Sequence, residues 1–208
     1  MGDHVGVSHA AATLDEIGAG RYRSNALAQE KTGEFWVNAQ MFGTNVRGEI
    51  EHGEVVVFIG KNPWQSHSFP RARTTLKEIA RDPARSMIVV DPRRTETAEA
   101  ADLFLQILPG TDVALFNGLL HLMLWEGLVD HAYIAAHTSG FEALRDRVRE
   151  FTPKETAAIC GIAEADLVTA ARWFAGLDGG GIGGAGERRP TLSLYCQGLN
   201  QSASGTAK

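Results

Sequence analysis

The sequence predicts an α/β domain with a mainly parallel, doubly wound sheet and helices on both faces. Three observations lead there: runs that are apolar on both faces, such as "VVVFI" (55–59) and "SMIVV" (86–90), helical segments between them, and polar loops directly after them. A run without polar alternation suits a strand covered on both faces, the usual state inside a parallel sheet. Helices between such strands provide the crossovers that parallel pairing requires.

The first strand, near 54–60, ends at Gly60 and opens into the loop "GKNPWQSH". In an open parallel sheet, ligands sit in the crevice beyond the carboxyl ends of the strands, so this loop is a site candidate. It carries one glycine and no Gly-Lys-Ser/Thr, which excludes both a G-x-G-x-x-G fingerprint and a P-loop. The plainer reading is a strand-to-helix turn in which Asn62 and Ser66 satisfy backbone groups. "FPRARTTLKEIARD" (69–82) predicts a helix with Pro70 in its first turn and Leu76, Ile79 and Ala80 on one face.

A second strand, 86–91, ends at Asp91 and Pro92, and a third, "DLFLQI" (102–107), is closed by the turn "LPGTD" with Thr111 or Asp112 as helix cap. The helix over 113–127 is apolar on nearly every side and is expected to be buried against the sheet. Shorter helices follow near 130–137 and 141–150. Residues 152–176 read as two helices broken at Gly161, with Thr152 as cap and Pro153 in first position. "LDGGGIGGAGERRP" (177–190) reads as a flexible Gly-rich loop, and a last strand, near 191–197, runs into "LNQSASGTAK". The expected organisation is a single domain over 1–208. It divides into an N-terminal segment (1–53), an α/β core (54–176), the Gly-rich loop (177–190), and the last strand with its loop (191–208).

At 208 residues and 44% hydrophobic content the chain can bury one substantial core. No apolar run approaches the ~20 residues that cross a bilayer, and the start lacks a secretion signal, so a soluble, cytoplasmic chain without membrane contact is expected. Gly6 stands where a myristoylation signal needs Ser or Thr. Cys160 and Cys196 are far apart, without Cys-x-x-Cys or His-x-x-x-His spacing, so a zinc site or an iron–sulfur cluster is not expected from this chain; both read as small packing residues. The net charge of −5 argues against nucleic acid as a partner. Yet Lys61 to Arg94 holds eight basic residues against three acidic ones, a local excess suited to a phosphate-bearing small molecule. Lys77, Arg81 and Arg85 read more simply as a solvated helix face, Trp36 and Trp64 as packing residues, and His121 as a hydrogen-bonded core histidine.

Four strand ends now carry distinctive loops. The order strand-"G-x-N-P-x-x-S-H", helix, strand-"D-P-R-R-T-E-T-A-x-x-A-D", strand-"P-G-T-D", long helix, strand-"Q-G-x-N-Q" resembles the middle of the catalytic subunit of molybdopterin oxidoreductases. That group includes formate dehydrogenases, nitrate reductases and dimethyl sulfoxide reductase. The resemblance covers about residues 22–208, including the upstream "SNALAQEKTGEFW". It implies a Rossmann-like domain gripping molybdopterin guanine dinucleotide, with molybdenum or tungsten in the full enzyme. By motif, Gly60, Asn62, Pro63, Ser66 and His67 would line the first loop, Asp91, Arg93, Arg94 and Thr95 the second, and Gly110 with Asp112 the third. Gln197, Gly198, Asn200 and Gln201 would approach the pterin. A carboxylate can accept from guanine or ribose donors, and an arginine fork suits pyrophosphate.

Each assignment has a simpler counterpart. Asp91 can start a turn, one of Arg93 and Arg94 can close a surface ion pair, His67 can cap the next helix, and Asn200 and Gln201 can be ordinary loop residues. The family's upstream cysteine cluster, metal ligand and second dinucleotide domain are not recognisable, so the chain is expected to be a fragment of a larger enzyme, inactive by itself. No catalytic residue and no metal ligand is assigned within it. Any iron–sulfur cluster would belong to the rest of the parent, whose remaining domains and electron-transfer subunits are the expected partners. The alternatives are a self-standing nucleotide-binding protein, for NAD for example, and a non-catalytic carrier of the cofactor. The substrate is not legible.

Overall fold

The computed structural model describes residues 12–18, 32–44, 48–66, 69–177, 188–195 and 197–200. In chain order the elements are α1 (Thr32–Phe42), β1 (Val55–Ile59), α2 (Pro63–Ser66), α3 (Ala72–Arg81), β2 (Ser86–Val90), α4 (Glu96–Glu99) and β3 (Leu103–Leu105), followed by α5 (Asp112–Trp125), α6 (His131–His137), α7 (Phe141–Val148), α8 (Pro153–Cys160), α9 (Glu164–Phe174), β4 (Thr191–Tyr195) and α10 (Gln197–Asn200). The four strands form one sheet in the order β3-β2-β1-β4. Every pairing is parallel, with Val57 opposite Ile88 on one side and Ser193 on the other.

Alternation along the strands divides the core into two layers. Val55, Val57, Ile59, Ile88, Val90 and Leu105 meet Leu115, Leu119 and Leu122 of α5, Cys160 of α8 and Leu167 of α9. Val56, Phe58, Met87 and Val89 meet Leu76 and Ile79 of α3 and Ala98 of α4. Both faces of β1 and β2 are therefore covered, which is why these strands read as unbroken apolar runs.

The amino edge of the sheet is held by two arginines. Arg85 donates through Nε to the Gly53 carbonyl at 2.9 Å and through Nη2 to the Ile50 carbonyl at 2.6 Å. Arg189 donates to the Ser86 hydroxyl at 3.1 Å and to the Glu54 carbonyl at 3.1 Å, and pairs with the Glu54 carboxylate at 3.3 Å. Arg85 is thus a strap between loops, since α3 has already ended at Arg81.

At the carboxyl edge, β1 and β4 are joined by a glycine pair. The Gly198 N–H donates to the Gly60 carbonyl at 3.2 Å. A Cβ on Gly198 would fall 2.7 Å from Gly60 Cα, and one on Gly60, whose φ is 55°, would fall 2.8 Å from Gly198 Cα. Each glycine is needed here because the other backbone occupies the side-chain position. A similar approach joins α5 to α8, where a Cβ on Gly118 would lie 2.3 Å from Cγ2 of the fully buried Thr156.

Several local expectations change. Pro70 precedes α3, which follows Arg71 in the left-handed region at φ 54°. The buried face of α3 is Ala72, Thr75, Leu76 and Ile79, while Ala80 is exposed. β3 is only Leu103–Leu105. α5 buries one side, leaving Val113 46% and Trp125 51% exposed, because α8 and α9 cover only part of its circumference. Trp36 is 59% exposed and does not pack into the core. The break at Gly161 is a left-handed C-cap, and Thr152 caps α8 by accepting from the Glu155 N–H. Cys160 is buried, and burial raises its thiol pKa. Cys196 and residues 178–187 of the Gly-rich segment lie outside the described residues.

Because both close approaches leave no room for a methyl group, Gly118→Ala and Gly198→Ala are each expected to cost about 1–3 kcal/mol. Urea unfolding checks this. A Gly118→Ala midpoint equal to that of the parent chain contradicts the α5–α8 packing described here.

Candidate functional site

Parallel pairing sends every strand end to one edge, so the four loops that sequence reasoning singled out share that edge. The sheet order also sets a switch point: from β1 the chain moves outward through β2 to β3, then returns to place β4 on the other side of β1. The crevice beyond such a switch is where open α/β sheets take ligands, and at this edge Gly60 and Gly198 bring the chain after β1 and the chain after β4 into backbone contact.

The first loop enters α2 with buried Pro63 as its first residue. The Ser66 hydroxyl donates to the Asn62 carbonyl at 3.0 Å. The Asn62 side chain turns toward α4: Nδ2 donates to Glu96 Oε2 at 2.9 Å, and Oδ1 accepts from the Thr97 hydroxyl at 2.6 Å. Gln65 Nε2 donates to Glu96 Oε1 at 2.7 Å, and the Trp64 N–H donates to Thr97 Oγ1 at 3.3 Å. These bonds to Asn62 and Gln65, with the positive charge of Arg93 as a smaller cause, lower the Glu96 pKa from 4.5 to about 2.

In the second loop Asp91 Oδ1 accepts the Arg93 N–H at 2.8 Å, so Asp91 does start a turn. That bond uses one of the two carboxylate oxygens. Thr95 is 2% exposed, and its hydroxyl caps α4 by accepting the Ala98 N–H at 3.2 Å. The Arg94 guanidinium lies over the Phe104 ring, 5.0 Å from its centroid, and Arg93 is exposed. Among the described residues neither arginine closes an ion pair, because Arg94 is turned onto an aromatic face instead.

Gln106 fastens the third loop to the second by donating to the Pro92 carbonyl at 3.1 Å. Gly110 sits in an exposed turn at φ 86° with nothing within 4 Å of a would-be Cβ. Asp112 is the first residue of α5, and the Thr111 hydroxyl donates to the Leu108 carbonyl at 2.7 Å instead of capping the helix. Gln197 and Gly198 open α10. His67, Gln201 and the side chain of Asn200 lie outside the described residues.

The basic segment is largely structural. Arg71 pairs with Glu78 at 2.9 Å, Arg73 donates to the Trp64 carbonyl at 2.9 Å, and Lys77 stands 5.4 Å from the Trp64 ring centroid. Lys61 and Arg93 remain at the strand ends. His121, 8% exposed, has Nδ1 3.0 Å from the Val148 carbonyl, so that nitrogen carries the donated proton and the residue ties α5 to the end of α7. Sequence reasoning missed Gln65, Glu96, Thr97 and Gln106. Glu96 and Thr97 stand inside a motif already singled out, but their partners are over 30 positions away and no local spacing signals the pairing. Among the described residues no group of three or more His, Cys, Asp or Glu side chains is placed to hold a metal ion. No helix among them is long and apolar enough to cross a membrane.

Residues 6–208 match the family model described as molybdopterin oxidoreductase. The alpha subunit of F420-dependent formate dehydrogenase from Methanocaldococcus jannaschii is 33% identical over 162 residues, covering 78% of this chain and 22% of that protein. Nitrate reductase from Synechocystis is 36% identical, over 77% of this chain and 21% of its own length. Among solved structures, acetylene hydratase from Pelobacter acetylenicus superposes with a TM-score of 0.64 at 29% identity, covering 80% of this chain and 21% of that one. The chain spans about a fifth of the length of these relatives. With nearly its whole length matched by the family model and with relatives above 30% identity covering three quarters of it, the chain belongs to the molybdopterin oxidoreductase family.

Proposed function

We propose that this chain is the module that binds molybdopterin guanine dinucleotide in a molybdenum or tungsten oxidoreductase of the formate dehydrogenase or nitrate reductase kind. The observation that carries the reading is the convergence of four polar loops at the carboxyl edge of one parallel sheet, centred on the β1/β4 switch. The donor set there fits a guanosine diphosphate moiety. Asp91 Oδ2 can accept from guanine or ribose donors, Lys61 and Arg93 can neutralise pyrophosphate, and the side-chain-free backbone at Gly60 and Gly198 allows close approach. Arg94, Thr95, Asn62 and Pro63 support this edge by packing, capping and bridging. Gly110 and Asp112 border it from the third loop, and by motif Gln197, Asn200 and Gln201 are the proposed contacts to the pterin.

When bound, the cofactor supplies the two-electron metal chemistry; this chain supplies grip and orientation. The relatives' names support that division: a formate dehydrogenase, a nitrate reductase and an acetylene hydratase are named for unlike substrates, yet each is similar to more than three quarters of this chain. Substrate choice then lies with residues elsewhere in a larger enzyme, to which 54–176 together with β4 contribute the sheet and its helices. The proposed partners are the remaining domains of that enzyme and, as the name "subunit alpha" suggests for the relative, further subunits.

Titration calorimetry with GDP, ADP and NAD tests this. GDP is expected to bind, ADP and NAD more weakly, and Asp91→Ala to weaken GDP by about 1–3 kcal/mol through lost hydrogen bonds to a charged acceptor. Equal GDP affinity in the variant removes Asp91 from the site, and a preference for NAD overturns the reading.

A further inference from the structure

Asn62 sits in the motif that the family resemblance assigns to cofactor contact, yet both of its side-chain polar atoms are engaged inside the protein. From the geometry we infer that Asn62 and Glu96 form a clamp holding the loop after β1 against the loop after β2, and that they act on the cofactor as positioning residues, through loop placement, without touching it. The inference rests on the proposed binding site at this edge.

The orientation of the Asn62 amide is fixed from both ends. A carboxylate can only accept, so Nδ2 faces Glu96 Oε2 at 2.9 Å; the Thr97 hydroxyl donates to Oδ1 at 2.6 Å and itself accepts the Trp64 N–H at 3.3 Å. Gln65 occupies the other Glu96 oxygen at 2.7 Å. Five residues, Asn62, Trp64, Gln65, Glu96 and Thr97, thus form a network of hydrogen bonds through which one loop cannot shift without the other. Bonds to an ionised acceptor are stronger than neutral ones, which makes Glu96 the anchor.

The charges facing Glu96 are Arg93 beside it, and Lys77, Arg81 and Glu99, which with Trp64 line a cavity of about 280 Å³ next to it. With its pKa lowered to about 2, Glu96 stays ionised across the neutral and mildly acidic range. The clamp is therefore intact above pH 4.5, the ordinary value for this carboxyl, and is lost as pH falls toward and through about 2.

A donor–acceptor exchange tests the inference. Glu96→Gln removes the charge, and Asn62→Asp sets two carboxylates against each other; each is expected to speed amide hydrogen exchange in 61–66 and 95–99 together, by roughly tenfold. The double variant Asn62→Asp/Glu96→Gln restores one donor facing one acceptor and is expected to recover protection in both loops. Exchange in β1 and β2 serves as the control for folding. In the parent chain the Asn62 and Gln65 side-chain amide resonances should titrate with a midpoint near 2, and in Glu96→Gln they should not. Loosening confined to one loop, or no recovery in the double variant, overturns the clamp. GDP affinity is the separate arm: a roughly tenfold loss in each single variant and recovery in the exchange support the positioning role. Unchanged GDP affinity with loosened loops overturns it. If the parent chain does not bind GDP, the proposed site fails, and the clamp is judged by exchange alone.

Discussion

Parallel pairing of β1 with neighbours on both sides is the constraint on which the rest depends. β1 is hydrogen-bonded to β2 and β4 and buried on both faces, so its residues cannot carry polar function themselves. Chemistry is pushed to the strand ends, and because all strands run one way it is pushed to a single edge. The opposite edge does a different job: there Arg85 and Arg189 satisfy carbonyls of the incoming loops and set where the strands begin. With the strand starts fixed and the strands short, the positions of the carboxyl loops follow.

The carboxyl edge is built from two kinds of contact. The glycine pair brings the β1 and β4 loops within backbone contact and leaves no side chain between them. The Asn62–Glu96–Thr97–Gln65 network then ties the β1 loop to α4, and Gln106 ties the β3 loop to Pro92. Adjacent loops are therefore linked in the same order as the strands beneath them. Such preorganisation lowers the ordering cost that a long, polar ligand would otherwise impose.

The sheet was legible because buried strands must be apolar, and Val55–Ile59 and Ser86–Val90 have no alternative use for such runs. The caps at Thr152 and Gly161 were legible because capping is local in sequence. The loops were located but their internal wiring was not. Whether Asn62 serves a ligand or Glu96 depends on tertiary pairing, and the charge count could not separate Arg73, Arg85 and Arg94, which are engaged with carbonyls or rings, from Lys61 and Arg93. Trp36 and the outer side of α5 misled for a related reason: apolar character states what a residue avoids, not what covers it. The family resemblance supplied the expected cofactor, and the fold then explained why two of its motif glycines, Gly60 and Gly198, fall where two backbones meet, whereas Gly110 lies in an open turn.

The central claim is that the edge beyond β1, β2 and β4 holds a guanine dinucleotide. Photo-crosslinking with 8-azidoguanosine diphosphate, mapped by peptide mass spectrometry, tests it most directly because it reports location without requiring turnover. The account requires adducts within 60–66, 91–95 or 197–200, suppressed by excess GDP and reduced by Asp91→Ala. Adducts at the amino edge, or in the groove of about 450 Å³ between α6 and α7, would contradict it.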